Sequence, residues 1–195
     1  MFWIVGATLL ALFAGAQTWG EIERQRDVAT FTDATQSARV QSANREQQAT
    51  PQVVEASYWQ APGDTVLAIL RIPGIALEVP VNYGTDERVL LRGAGLVEGS
   101  ALPGSNGNVA IAAHRDTHFR GLKDLAVGDR IELAMRDSTQ IYIITDLSVV
   151  EPTDVHVLAD TGDPVLTLVT CYPFYFVGHA PQRFIVRATA VGSSA

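Results

Sequence analysis

At 195 residues the chain is long enough for one globular domain with appendages. Its composition, 47% hydrophobic and 18% charged, is that of a folded domain rather than a disordered one. A net charge of −7 excludes an electrostatically driven nucleic-acid role, which needs a clustered basic surface. In chain order, Met1 to Ala16 carries no charge, and Gln17, Thr18, Trp19 and Gly20 extend that run to Glu21. Such a length lies at the short end of the roughly 17–25 residues that cross a bilayer as a helix. Trp3 and Trp19 are placed for its two interfaces. A cleaved signal peptide is the rival, because Ala14-Gly15-Ala16 fits a small-residue cleavage site. The lack of a basic leader favours an uncleaved anchor over residues 1–20, although Arg24 and Arg26 beyond it sit unfavourably for an exported domain. Residues 21–56, rich in Gln, Ala, Thr, Ser and Arg, bury little surface and read as a spacer, extracytoplasmic if the domain beyond it is exported.

From Ser57 onward the pattern changes to short β-type runs broken by turns, which makes residues 57–195 the folded domain. Val66–Ile72 is the first run, closed by Pro73-Gly74, and Ile75–Val81 the second. Thr85–Gly93 reads as a short helix with Thr85 as its N-cap. Asn108–Ala113 is a strand entered from a Gly/Pro/Asn loop, and Leu122–Leu125 one helical turn. Arg130–Met135 and Gln140–Val150 form a hairpin around residues 136–139, and Val165–Cys171 and Arg183–Val191 complete the set. Seven or eight short strands with little helix predict an all-β domain, a closed or nearly closed β-barrel.

Three residues carry the candidate chemistry. Cys171 is the only cysteine and ends a buried-type strand. A lone thiol makes no intrachain disulfide, so it is either a small buried hydrophobe or a nucleophile. His114 follows the run Val109–Ala113, and Arg183 opens the last strand. Neighbouring barrel strands would let the three ends meet. There a thiolate attacks a carbonyl, an imidazole exchanges protons with thiol and leaving amine, and a guanidinium stabilises the oxyanion. Arginine suits that last role because it stays charged and presents five donors.

Thr167-Leu168-Val169-Thr170-Cys171 resembles the TLxTC signature of sortases, the membrane-anchored cysteine transpeptidases of bacteria. The segment from Asn108 through His114 to Phe119 is similar to the family's catalytic histidine segment, and Arg183 in Pro181–Val186 to its essential arginine. The resemblance runs from about Leu67 to Val191, and the segment Cys171–Gly178 looks most like the class D branch. It implies an eight-stranded β-barrel and cleavage of an LPxTG-like sorting signal after its threonine. The acyl group would pass to Cys171, then to an amine on a cell-wall precursor or another protein. The roles it implies are Cys171 as nucleophile, His114 as general acid/base and Arg183 as substrate and oxyanion stabiliser. Thr170 is expected to shape the oxyanion site through its backbone or hydroxyl. The loop from Ser148 to Asp163 corresponds to the segment that grips the sorting motif. The chain would be a single-pass protein of the cell membrane, its catalytic domain extracytoplasmic and its partners proteins bearing a C-terminal sorting signal. The resemblance implies no cofactor, and no metal is expected because calcium-assisted members carry acidic residues in a loop ahead of the histidine strand, where Glu98 is the only carboxylate between Arg92 and His114. The alternatives are a cysteine hydrolase of the same fold and a non-catalytic binding module.

Other residues invite roles with less support. His118 lies four residues after His114, but on a loop that spacing does not face two imidazoles onto one metal, so a structural or edge-of-site role is expected. Asp116 could orient His114, or bond the backbone of Thr117 or Phe119 in a turn, and the turn is favoured. His156 and His179 read as exposed loop residues. Tyr172, Phe174, Tyr175 and Phe176 form an aromatic cluster that either packs in the core or walls a peptide groove.

Overall fold

The computed structural model of the chain describes residues 65–175 and 178–194, together with Ala29. The anchor expected over residues 1–20 and the spacer over 21–56 therefore lie outside the described residues, Ala29 excepted. Among the described residues no helix is long and apolar enough to cross a membrane.

Eight strands close into a barrel: β1 (Val66–Ile72), β2 (Leu77–Tyr83), β3 (Ala94–Leu96), β4 (Asn108–Ala112), β5 (Arg130–Ala134), β6 (Thr139–Val150), β7 (Val165–Tyr172) and β8 (Gln182–Ser194). Their order around the barrel is β1-β2-β3-β4-β7-β8-β6-β5, with β5 returning to pair with β1. Two neighbour pairs, β2–β3 and β4–β7, are parallel, and the other six are antiparallel. Closure leaves no long edge for another chain to pair with.

Period-2 alternation builds the interior. Ala68, Leu70 and Ile72 of β1, Val79 and Val81 of β2, and Val109 and Ile111 of β4 point inward. Ile131 and Leu133 of β5, Tyr142 and Ile144 of β6, Leu166 and Leu168 of β7, and Val186 and Ala188 of β8 complete one cluster. β4 and β7 are covered on both faces, since Ala110, Val165 and Thr167, of opposite parity, are buried as well. That double burial explains why both strands read as continuous apolar runs rather than alternating ones.

Several expected boundaries move. The second strand begins at Leu77, not Ile75, because Pro73–Ile75 forms a 3-10 turn. The Ala76 N–H donates to the Pro73 carbonyl at 3.1 Å while Ala76 adopts a left-handed φ of 51°. Pro73 pre-sets the first φ of that turn. β3 was not expected as a strand. It exists because Gly95 lets the chain pass close beneath the carbonyl of Gly84, which a Cβ would strike. β6 runs through Ser148 to Val150, so the β6–β7 connection is residues 151–164 and begins later than Ser148. β8 starts at Gln182 and extends to Ser194.

The helix α1 (Glu87–Arg92) crosses between the parallel strands β2 and β3. Its N-cap is Asp86, not Thr85. The Asp86 carboxylate accepts from the N–H groups of Arg88 at 2.9 Å and Val89 at 3.2 Å, two donors that the first turn leaves without helical partners. Asp86→Ala is expected to cost about 0.5–2 kcal/mol of stability, read as a lower midpoint in chemical denaturation with unchanged slope.

Candidate active site

Register brings the three chemical residues into one row. In the β7–β8 ladder Cys171 is the direct partner of Arg183. In the parallel β4–β7 ladder Ala112 pairs with Val169, and the Ala113 N–H donates to the Val169 carbonyl at 3.3 Å. The same register carried two residues on sets His114 level with Cys171. Neighbouring strands lie about 4.8 Å apart, so Cys171 occupies the middle of a row with His114 on one side and Arg183 on the other.

Parity puts the row outside the barrel. Val109 and Ile111, Leu166 and Leu168, and Val186 and Ala188 face the interior. His114, Cys171 and Arg183 have the opposite parity on their strands and so stand on the outer face. All three are half-buried, which leaves them reachable by a polypeptide. Thr170, of inward parity, is 3% exposed, and its hydroxyl donates to the Ala113 carbonyl at 2.7 Å. That bond stitches β7 to β4 immediately before His114. It turns the hydroxyl away from the outer face and leaves the backbone as the part of Thr170 beside Cys171.

The side chains of the row are engaged with other groups. The His114 imidazole has Nε2 3.5 Å from Oε1 of Glu87, in the first turn of α1. The Arg183 guanidinium donates from Nη1 to the carbonyls of Gln182 at 2.9 Å and Ala180 at 3.3 Å. The Cys171 thiol makes no hydrogen bond to either among the described residues. Backbone pairing therefore sets the spacing of Cys171 and Arg183, while the imidazole and the guanidinium are engaged by groups other than the thiol.

Two neighbours of the row were not singled out from the sequence. Glu87 is remote in sequence from His114, and only the packing of α1 beside the β4 exit shows the pair. Arg115 had one weak cue, its place next to His114. Its guanidinium donates to the carbonyls of Pro173 at 3.0 Å and Gly178 at 3.2 Å, which ties it to residues that follow Cys171. The Tyr172–Pro173 peptide in that connection is cis.

Asp116 neither orients His114 nor caps the turn. It is exposed and without a hydrogen-bond partner among the described residues, while the Phe119 N–H donates to the His114 carbonyl at 3.0 Å. His118 is half-buried, and His156 and His179 are exposed. No group of three or more His, Cys, Asp or Glu side chains that could hold a metal ion occurs among the described residues. The aromatic cluster divides. Phe174 and Phe184 pack against the core with ring centroids 5.2 Å apart, and Tyr172 stacks on Phe184 at 6.2 Å. Tyr175 is 73% exposed, with the Arg120 guanidinium 5.6 Å from its ring centroid. Phe176 lies outside the described residues.

Residues 70–191 match the sortase domain family. Among curated relatives, sortase D of Bacillus subtilis strain 168 is 37% identical over 119 residues, 60% of this chain and 60% of that protein. Sortase A of Bacillus anthracis is 30% identical over 149 residues, 74% of this chain and 69% of that protein. The match thus spans less than two thirds of the Bacillus subtilis relative. Among solved structures, the Clostridium perfringens sortase D5 transpeptidase superposes with a TM-score of 0.63 at 29% identity, covering 71% of this chain and 86% of that one. Sortase E1 of Streptomyces coelicolor, solved with a tripeptide in its active site, gives a TM-score of 0.61 at 28% identity, with 69% and 92% covered.

Proposed function

The chain belongs to the sortase family, and on that premise we propose that it is a cysteine transpeptidase that cleaves an LPxTG-like sorting signal and transfers the protein to an amine acceptor. The observation that supports this reading is the juxtaposition of Cys171 and Arg183, paired across β7–β8, with His114 two residues past the end of the neighbouring β4. A binding module has no use for a nucleophile, a proton carrier and a fixed cation at one strand level.

In the first half-reaction the Cys171 thiolate forms a bond to the threonine carbonyl carbon of the signal. The carbonyl electrons move to oxygen, and Arg183 takes up that charge. Collapse breaks the C–N bond to the next residue while His114 delivers a proton to the departing amine. The thioester then holds the substrate's new C-terminus on Cys171. In the second half-reaction an incoming amine attacks the same carbonyl and gives its proton to His114, and the C–S bond breaks to return the thiolate. Atoms and charge balance without a cofactor.

The test is to incubate the full chain with a peptide library carrying the signal, with and without an amine such as a glycine peptide, and to follow products by mass spectrometry. Amine-dependent ligation products support the transpeptidase. Cleavage with water alone as acceptor supports a hydrolase of the same fold, and no covalent intermediate with any peptide sinks both. The uncharged run of Met1–Ala16 supports a single-pass anchor in the cell membrane, with the catalytic domain extracytoplasmic, where sorting signals and cell-wall amines occur.

The exposure of Tyr175 bears on the groove wall. If its ring flanks the bound signal, Tyr175→Ala raises KM several-fold and leaves Tm within about 2 °C, as expected of a surface change. A fall of many degrees would instead mean that the ring supports the fold.

A further inference from the structure

Asn108 opens β4 and is 2% exposed. Its Nδ2 donates to the carbonyls of Val157 at 3.0 Å and Ala159 at 3.2 Å, and its Oδ1 accepts from the Thr167 hydroxyl at 2.7 Å. Thr167, 0% exposed, is the first residue of the motif that ends in Cys171. The amide orientation follows from its neighbours, because backbone carbonyls only accept and must face the NH₂. Few side chains of this length offer two donors and an acceptor together. Aspartate would lose both donors, and alanine all three bonds.

The place of this knot matters more than its strength. Asn108 and Thr167 share the outward parity of His114 and Cys171, and Asn108 pairs with Val165 and Ala110 with Thr167 in the ladder. Thr167 precedes Cys171 by four residues on one strand face, which at about 3.3 Å per residue is roughly 13 Å. The loop segment held there is the 3-10 turn Val155–Leu158, none of whose residues is buried. Val155 is 69% exposed, and Val157 and Leu158 are half-buried yet lie outside the core cluster. An extended peptide with its scissile carbonyl at Cys171, running back along β7, reaches this apolar turn three or four residues before the bond that breaks. The bonded carbonyls flank Leu158, so the turn is fixed from beneath while its apolar side chains stay available. Gly107 belongs to the same device: its carbonyl accepts from the Val165 N–H at 3.0 Å, and a Cβ there would come within 2.7 Å of Asp160 Oδ1.

We propose that Asn108 is a positioning residue for substrate choice, holding the apolar turn Val155–Leu158 at the distance from Cys171 that selects the apolar residue three or four positions before the scissile bond. The proposal rests on the transpeptidase reading and adds to it the device that sets specificity.

The test compares the full-length wild type with Asn108→Ala, Asn108→Asp and Thr167→Val. A peptide library varied at the third and fourth positions before the scissile bond is followed by kcat and KM, alongside iodoacetamide alkylation of Cys171 and amide hydrogen exchange. For Asn108→Ala, kcat/KM on the preferred peptide is expected to fall about 10- to 100-fold, chiefly through KM, with the preference at those positions flattened. Exchange should quicken in residues 151–164 but not in β7, and alkylation should keep its wild-type rate. Asn108→Asp should behave like the alanine variant, and Thr167→Val should shift selectivity less, because both loop bonds remain. Asn108→Asp decides the matter if Asn108→Ala does not fold, since it loses both donors to the loop, and an unchanged preference in a folded Asn108→Asp would overturn the proposal. Unchanged preference and KM in a folded Asn108→Ala would overturn it too. So would a uniform loss of kcat on all peptides with faster exchange in β7, which would make Asn108 an ordinary core residue. A wild type that cleaves no signal peptide overturns the transpeptidase reading itself, an outcome distinct from a wild type that cleaves selectively while Asn108→Ala matches it.

Discussion

Cys171→Ala is expected to abolish both cleavage and amine-dependent ligation, a loss of at least about 10⁴-fold, because removing the nucleophile removes the covalent path altogether. The fold should survive. Cys171 is half-buried on the outer face, and the interior of β7 is filled by Leu166 and Leu168 on the opposite parity. Alanine therefore opens no sealed cavity, and its thermal unfolding should match the wild type closely. Mass spectrometry should find a thioester adduct of the wild type with the signal peptide and none with the variant. Turnover that persists in Cys171→Ala would remove the mechanism from this site. A collapsed fold would instead mean that the thiol is a packing residue, the blander of the two readings a lone cysteine allows.

The second large effect belongs to Arg183. Arg183→Ala should lower kcat/KM about 10²- to 10³-fold, the range found when an oxyanion donor is removed. Nη1 already serves the Gln182 and Ala180 carbonyls, while Nε and Nη2 make no bond among the described residues. Those donors are the ones available to a developing oxyanion beside Cys171. Arg183→Lys should recover little, since a single ammonium cannot both hold the strand-entry carbonyls and reach the substrate. Full recovery by lysine would mean that charge alone is needed and that the fork geometry is idle. A structural role predicts a different signature, namely lower Tm with kcat/KM nearly intact. The measurement is steady-state kinetics of both variants beside their melting curves.

Glu87 shows what a close imidazole–carboxylate contact is worth at this site. At 72% side-chain exposure the carboxylate is well solvated, and pairs of this kind contribute at most about 1 kcal/mol. Its consequence is orientational, because it fixes where the His114 ring rests before a substrate arrives.

Strands β4, β7 and β8 were legible because burial on one or both faces leaves a dense apolar signal in consecutive residues. Strand β3 was not, since Ala94-Gly95-Leu96 carries no period. It is a strand only because Tyr83 and Ala112 lie beside it to pair. Thr85 and Asp86 are both capping types, and the choice between them rests on backbone geometry that local composition does not encode. The β6–β7 connection begins at 151 rather than 148 because Ser148–Val150 find partners in Phe184, Arg183 and Ile185 of β8, a pairing made far away in sequence.

The sequence by itself determined the barrel class, the residue types of the chemical row and the order in which they occur, because alternation and motif are properties of neighbouring positions. Only the tertiary structure decided what those side chains touch. The contacts of His114 with Glu87, Arg115 with Pro173 and Gly178, and Asn108 with Thr167 and the β6–β7 turn all join separate elements of the chain. Such contacts are set by strand register and barrel closure, which sum weak preferences over the whole domain, so no local window of the sequence contains them.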